Sequence, residues 1–143
     1  MRISILWYTP SPEKIISLAM RRCYSTKPVE EILKELDQKG PEYWRHLLEL
    51  AFRDKSFDVI EHFYLELLVE GLAKADVADL AINFPFMQFT EFKENLWLVL
   101  LNARTLIELW YDDNHKYIAE SIVREMKNAN VAPIFVSVAF AGD

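Results

Sequence analysis

Leu96-Trp97-Leu98-Val99-Leu100-Leu101-Asn102-Ala103-Arg104-Thr105-Leu106-Ile107-Glu108-Leu109-Trp110 changes character in its middle. Six apolar residues run unbroken from Leu96 to Leu101. A short run of this kind predicts a strand buried on both faces. Asn102 is a good helix N-cap. Leu106, Ile107, Leu109 and Trp110 then supply one apolar stripe at helical spacing. An amide and a guanidinium therefore meet at the mouth of a helix, beside a buried strand. Such a place can hold an anion or the edge of a flat ring. The plainer reading is that Asn102 only caps and Arg104 only pairs with a carboxylate. On spacing alone that reading comes first, because caps and ion pairs are commoner than sites.

Working outward, residues 2–8 read as a first strand rather than a signal peptide, since no small-residue cleavage site follows. Ser11 is expected to cap a helix with Pro12 at its first position and Glu13 in its first turn. Ile15, Ile16, Ala19, Met20 and Cys23 form its inward stripe, which makes Cys23 a buried structural thiol. A second helix starts near Pro28, with Val29, Ile32, Leu33 and Leu36 on one face. Gly40-Pro41 separates it from a third, carrying Trp44, Leu47, Leu48 and Ala51. From Phe63 to Val69 the period changes to two, which predicts a half-buried strand ended by Gly71. A helix from about Ala73 to Ala81 follows, and Asn83-Phe84-Pro85-Phe86 breaks it. After the central strand and helix, Asp112-Asp113-Asn114 turns the chain into a helix with Ile118, Ala119, Ile122, Val123 and Met126 inward. The apolar tail Val131–Phe140 is expected to form a last strand. The fold class is α+β, with a small, mostly antiparallel sheet and a helical layer.

At 143 residues the chain is expected to be one domain, 1–143, because domains commonly run about 100–200 residues. A net charge of −6 argues against nucleic-acid binding, which depends on neutralising phosphates. No apolar run approaches the roughly 20 residues that span a bilayer, so no membrane partner is expected. The single cysteine, Cys23, excludes an internal disulfide and fits a reducing, cytoplasmic location. With only Gly40, Gly71 and Gly142, neither a dinucleotide fingerprint nor a phosphate-binding loop can be written.

Other candidates are weaker. His46, His62 and His115 share no ligand spacing, so no metal is expected. Asp112, Asp113 and His115 crowd one turn, which reads as a solvated turn with a helix cap. Glu61-His62 could be an acid/base pair, but a role in orienting neighbours by hydrogen bonds fits better. Phe84, Phe86, Phe89 and Phe92 could stack a base or a flavin; core or subunit contact is the simpler reading.

Several of these pieces, in order, resemble the flavin-dependent thymidylate synthase family. Ile5-Leu6-Trp7-Tyr8-Thr9-Pro10-Ser11-Pro12-Glu13-Lys14 is similar to its first strand and helix entry. Ala19-Met20-Arg21-Arg22-Cys23-Tyr24-Ser25 is similar to its Ala-Ala-Arg-x-Cys-Tyr-Ser, and Asp58-Val59-Ile60-Glu61-His62 with Glu70-Gly71 to its Glu-His strand. Asn95-Leu96 through Asn102-Ala103-Arg104 is similar to its Asn-Leu…Asn-Ala-Arg element. The resemblance implies a fold like that of the thymidylate-synthase-complementing proteins. It implies FAD as cofactor, with NADPH and methylenetetrahydrofolate, for conversion of dUMP to dTMP. It also implies a homo-oligomer, dimer or tetramer, with shared sites. By resemblance Asn102 and Arg104 fall on flavin-contacting positions, and Glu61, His62 and Arg21 are site-supporting; no catalytic residue is carried over.

The departures from the family are specific. Its Arg-His-Arg signature should follow the helix after Gly71. Asp79-Leu80-Ala81-Ile82-Asn83-Phe84-Pro85-Phe86-Met87-Gln88-Phe89 stands there instead, and no arginine occurs between Arg53 and Arg104. The long segment that usually precedes the Asn-Leu strand is missing. Where the family's nucleotide-activating arginine falls, the chain has Asp113. The expectation is therefore a degenerate member that keeps fold and oligomerisation with a weakened flavin or nucleotide site. The alternatives are an active flavoenzyme with a rebuilt site and a non-catalytic structural or regulatory subunit that binds a protein partner.

Overall fold

The structure is a computed structural model, and it describes residues 1–140. In chain order the elements are β1 (Arg2–Tyr8), α1 (Pro12–Arg22), α2 (Val29–Lys39), α3 (Pro41–Arg53) and α4 (Phe57–Ile60). Then come β2 (Tyr64–Glu70), α5 (Lys74–Asn83), β3 (Gln88–Lys93), β4 (Leu96–Asn102), α6 (Ala103–Trp110), α7 (Lys116–Asn128) and α8 (Pro133–Ala139). The strands form one sheet in the order β1-β2-β4-β3, and every neighbouring pair is antiparallel. The α+β expectation therefore holds.

Register explains which face is buried. Leu65 faces Leu101, Leu67 faces Val99, and Val69 faces Trp97 across β2 and β4. All six are buried and join one hydrophobic cluster with the helices. Glu66, Leu68 and Glu70 pair with Leu100, Leu98 and Leu96, and these point the other way. That second face is only half-buried along β4. The expectation of a strand buried on both faces is corrected here. The helices cover one side of the sheet, and Leu96, Leu98 and Leu100 lie on the side they leave open.

Turn chemistry sets the strand ends. Gly71 has φ 85°, and a Cβ there would stand 3.2 Å from the Met1 Cα, so glycine meets both a conformational and a steric need. β3 and β4 are joined by Glu94 and Asn95, with Asn95 in the left-handed region at φ 61°. β3 is not among the elements expected from the sequence, where Phe89 and Phe92 read only as part of an aromatic patch, and most of its residues are exposed.

Three further expectations change. Ser11 precedes α1 as anticipated, but its φ of 46° is left-handed and its side chain makes no cap. Cys23 is exposed: it lies just beyond α1, where the inward stripe has ended, and its thiol donates to the Ala19 carbonyl at 3.4 Å. The tail forms the helix α8, not a strand. Pro133 sits in its first turn, which favours helix initiation. Phe135, Val136, Ala139 and Phe140 then bury one helical face. Phe135 packs edge-on against Phe63 at 5.2 Å, and Phe140 lies 4.6 Å from Trp110.

Glu13 starts α8 from a distance. This carboxylate is buried in the first turn of α1, and its Oε2 accepts from the backbone N–H of Ile134 at 3.0 Å and Phe135 at 3.3 Å. It satisfies donors that a helix start leaves open.

Candidate functional site

The last pair between β2 and β4 is Tyr64 with Asn102, and the chain bends into α6 directly after it. The Asn102 side chain is buried in the joint, and its Oδ1 accepts from the Thr105 N–H at 2.9 Å. The Ala103 N–H donates to the Phe63 carbonyl at 2.7 Å. Thr9 closes the third side, where its Oγ1 accepts from the Tyr64 N–H at 2.8 Å and its own N–H donates to the Tyr64 carbonyl at 3.1 Å. The ends of β1, β2 and β4 are thus locked to the start of α6. Asn102 acts as the sequence led one to expect of a cap.

Arg104 is the second residue of α6 and is 43% exposed. Its Nη1 lies 3.6 Å from Glu61 Oε1, and its Nε lies 3.7 Å from Glu108 Oε1. Glu61 reaches it from the end of α4. The fold therefore joins Asn102, Arg104 and Glu61, which the sequence spreads over 44 positions. The guanidinium is partly compensated on two sides. An anion arriving here must compete with two carboxylates for one cation. Two of the first N–H groups of α6 are already engaged, by Phe63 and by Asn102.

His62 and Arg21 fall elsewhere. His62 lines a groove of about 400 Å³ with Leu18, Ala19, Arg22, Cys23 and Val59. Adjacent in sequence, Glu61 and His62 serve two different places, as no joint acid/base pair would. Arg21 ties α1 to α2, with its guanidinium donating to Glu35 Oε2 at 2.9 Å. The hydrogen bonds from Arg21 and then Lys39 hold the Glu35 carboxyl down at about 2. Arg21 Nε is buried with no hydrogen-bond partner. Within the structure Arg21 is a structural tie.

The Asp112 turn also differs from its reading. His115 is buried, with Nδ1 2.9 Å from Asp112 Oδ1 and Nε2 2.6 Å from Asp79 Oδ2. Its side chain does not cap α7. Asp113 is exposed. The partner Asp79 was invisible to local spacing, since it lies 36 residues away. Of the phenylalanine cluster, Phe84 is buried, Phe89 is half-buried, and Phe86 and Phe92 are exposed. Among the described residues no group of three or more His, Cys, Asp or Glu could hold a metal ion. Among them, too, no helix is long and apolar enough to cross a membrane.

No family model matches the chain. It is 31% identical over 75 residues to a flavin-dependent thymidylate synthase of Clostridium tetani, a match of 52% of this chain and 29% of that protein. It is 30% identical over 80 residues to a flavin-dependent thymidylate synthase of Geobacter sulfurreducens, covering 52% of this chain and 31% of that one. The matched part is thus about three tenths of the length of these relatives. Its fold is like that of the flavin-dependent thymidylate synthase ThyX from Helicobacter pylori, solved with FAD and dUMP. The TM-score is 0.65 at 13% identity, over 91% of this chain and 96% of that one. A second structure of ThyX from Helicobacter pylori with FAD and dUMP gives a TM-score of 0.58 at 14% identity, over 94% and 99%.

Proposed function

We propose that this chain, similar in sequence to flavin-dependent thymidylate synthases over half its length and alike in fold, is a degenerate member of that family, with residues 1–143 as one domain. It keeps the fold and self-association and has a weakened flavin or nucleotide site walled by Asn102 and Arg104. The observation that carries this reading is the joint itself. A buried amide and a half-exposed guanidinium stand together at a helix start, and a flavin contact there is what the family resemblance leads us to expect. FAD fits these residues as one wall only. Arg104 would meet an anionic or carbonyl edge of the ring system, and Asn102 would hold the helix start in place. FAD, when bound, supplies the redox chemistry. No proton transfer is assigned to Glu61, because it is engaged with Arg104.

The weakness follows from charge. FAD and dUMP bring several negative charges, and the stretch from residue 54 to residue 103 contains no arginine. A charge-assisted contact is worth about 1.5–3 kcal/mol, so each missing one lowers affinity roughly tenfold or more. Asp113 adds a charge of the wrong sign to the chain where the family has its arginine. A cytoplasmic location and a role beside dTMP biosynthesis belong to the same reading.

The open face of the sheet favours an oligomer, dimer or tetramer. Trp7, paired with Glu66, is 49% exposed, Leu6 is 56% exposed, and Leu68, Leu98 and Leu100 are half-buried beside them. An apolar sheet face of this kind is commonly covered by a partner.

The deciding measurement is the absorbance spectrum of the purified protein together with its native mass. Bound flavin in an oligomer is expected, as is a rise in melting temperature with added FAD. A colourless monomer unmoved by excess FAD and dUMP would defeat the proposal. Arg104→Ala is expected to weaken FAD binding by roughly ten- to a hundredfold. Rescue of a thymidine-requiring strain by this chain alone would show that the site is not degenerate.

A further inference from the structure

The contact between His115 and its two carboxylates has no part in the flavin reading. Asp79 sits on α5. Its Oδ1 accepts from the Asn83 side-chain amide at 2.9 Å, leaving Oδ2 to face His115 Nε2 at 2.6 Å. Asp112 sits in the turn before α7. Its Oδ1 accepts from the Asn114 N–H at 3.0 Å and faces His115 Nδ1 at 2.9 Å. Ionised carboxylates only accept hydrogen bonds, and a neutral imidazole has only one N–H. Both contacts are satisfied together only when the ring carries two protons.

Leu72 and Phe84 anchor the two ends of α5 in the core, but within the helix few other contacts hold it. Its N-cap Ala73 offers no side-chain bond, and Val77 and Leu80 are its only buried residues. Lys74 lies 3.6 Å from Glu91 in an exposed pair, which contributes little. The Phe84 ring, just past the helix, stands edge-on to the His115 ring at 5.1 Å.

We propose that Asp79, His115 and Asp112 form a proton-gated clasp that holds α5 on the body of the domain, closed while His115 is an imidazolium and released when the ring loses a proton. The carboxylates that face it from α5 and from the turn agree in sign, whereas Lys116 of α7 carries the opposite charge. α5 presents Asp79, with Asp76 one turn earlier, and the turn presents Asp112. From α7, Lys116 follows His115 in the chain. Tyr117 is neutral there: burial raises its hydroxyl pKa, and Asp76 and Asp79 raise it further. Burial opposes charge on His115, but the bonds to Asp79 and Asp112 outweigh it, so its pKa lies above the ordinary value. The hydrogen bond from His115, set against burial, lowers that of Asp112.

The sign of the pH effect follows. A raised imidazole contributes fully below the ordinary histidine range, and its contribution is lost as pH rises through the folded value. A lowered carboxyl contributes above the ordinary aspartate range and loses its share as pH falls through its own folded value. The clasp is strongest between these ranges, from about pH 4 to 6.5.

Hydrogen exchange of the intact protein, corrected for the intrinsic pH dependence of amide exchange, tests this. Protection of residues 74–83 is expected to fall between pH 6 and pH 9, by about tenfold for each unit by which the histidine is raised. Protection in α3 and α7 is expected to stay level. Asp79→Asn, a change at a half-exposed carboxylate, is expected to give low α5 protection at both pH values. His115→Gln is expected to remove the pH dependence. Nitrogen NMR of the His115 ring at pH 6 is expected to show two N–H groups. The clasp is refuted if that ring is neutral at pH 6 in the folded protein, or if wild type and Asp79→Asn show the same α5 protection at both pH values.

Discussion

Two helix starts in this protein are capped by the same chemistry from opposite distances. At α6, Asn102 accepts from Thr105, three residues on. At α8, Glu13 accepts from Ile134 and Phe135, 121 and 122 residues on. In both, a buried oxygen satisfies N–H groups that the helix cannot. The difference lies in what each cap depends on. The Asn102 cap forms as soon as its own turn forms. The Glu13 cap exists only after α1 and α8 have docked, so it reports tertiary assembly.

The largest effect is expected from Glu13→Ala. It leaves two N–H groups without an acceptor in a buried place and is expected to cost about 2 kcal/mol. Urea unfolding measures it, and exchange should quicken first in α8. Glu13→Gln retains an acceptor and should recover part of the loss. A Glu13→Ala protein as stable as wild type would mean that the distant cap contributes nothing.

Asn102→Ala comes next, at about 1 kcal/mol, the usual worth of an N-cap. Asn102→Asp keeps an accepting oxygen and should retain stability. It also separates the two roles assigned to this residue. Equal FAD affinity in Asn102→Asp would mean that Asn102 only caps, whereas a drop at constant stability puts the ligand close enough to feel the added negative charge.

The smallest effect on stability belongs to Arg104→Ala, at no more than about 0.5 kcal/mol, because its two ion pairs are long and half-exposed. A thermal melt checks it. A large destabilisation would make Arg104 a structural residue and remove the argument for a site at the joint.

The legible parts of the fold share one property: their signal fits in a short window. The period-two run into β2, the apolar run of β4, the Asn102 cap and the inward stripe of α7 can all be read without a partner. The tail could not, because Val131–Phe140 is apolar enough for either state. The Phe63 and Trp110 surfaces against which it packs decide for a helix. Cys23 differs from expectation for a related reason: it continues the apolar spacing of α1, but the helix ends at Arg22 and leaves the thiol exposed. At the site, Asn102 and Arg104 were visible as a pair, while the Glu61 partner and the separate place of His62 depended on how α4 turns the chain.

The α+β class, the joint between β4 and α6, and the lack of arginine in the stretch leading to it can all be read from the chain alone. These follow from local period, capping chemistry and residue count. Only in the folded molecule does one sheet face stay open, does Glu13 start α8, and does His115 sit between two carboxylates. Each of these joins groups far apart in the chain, and only the packed core brings them within bonding distance.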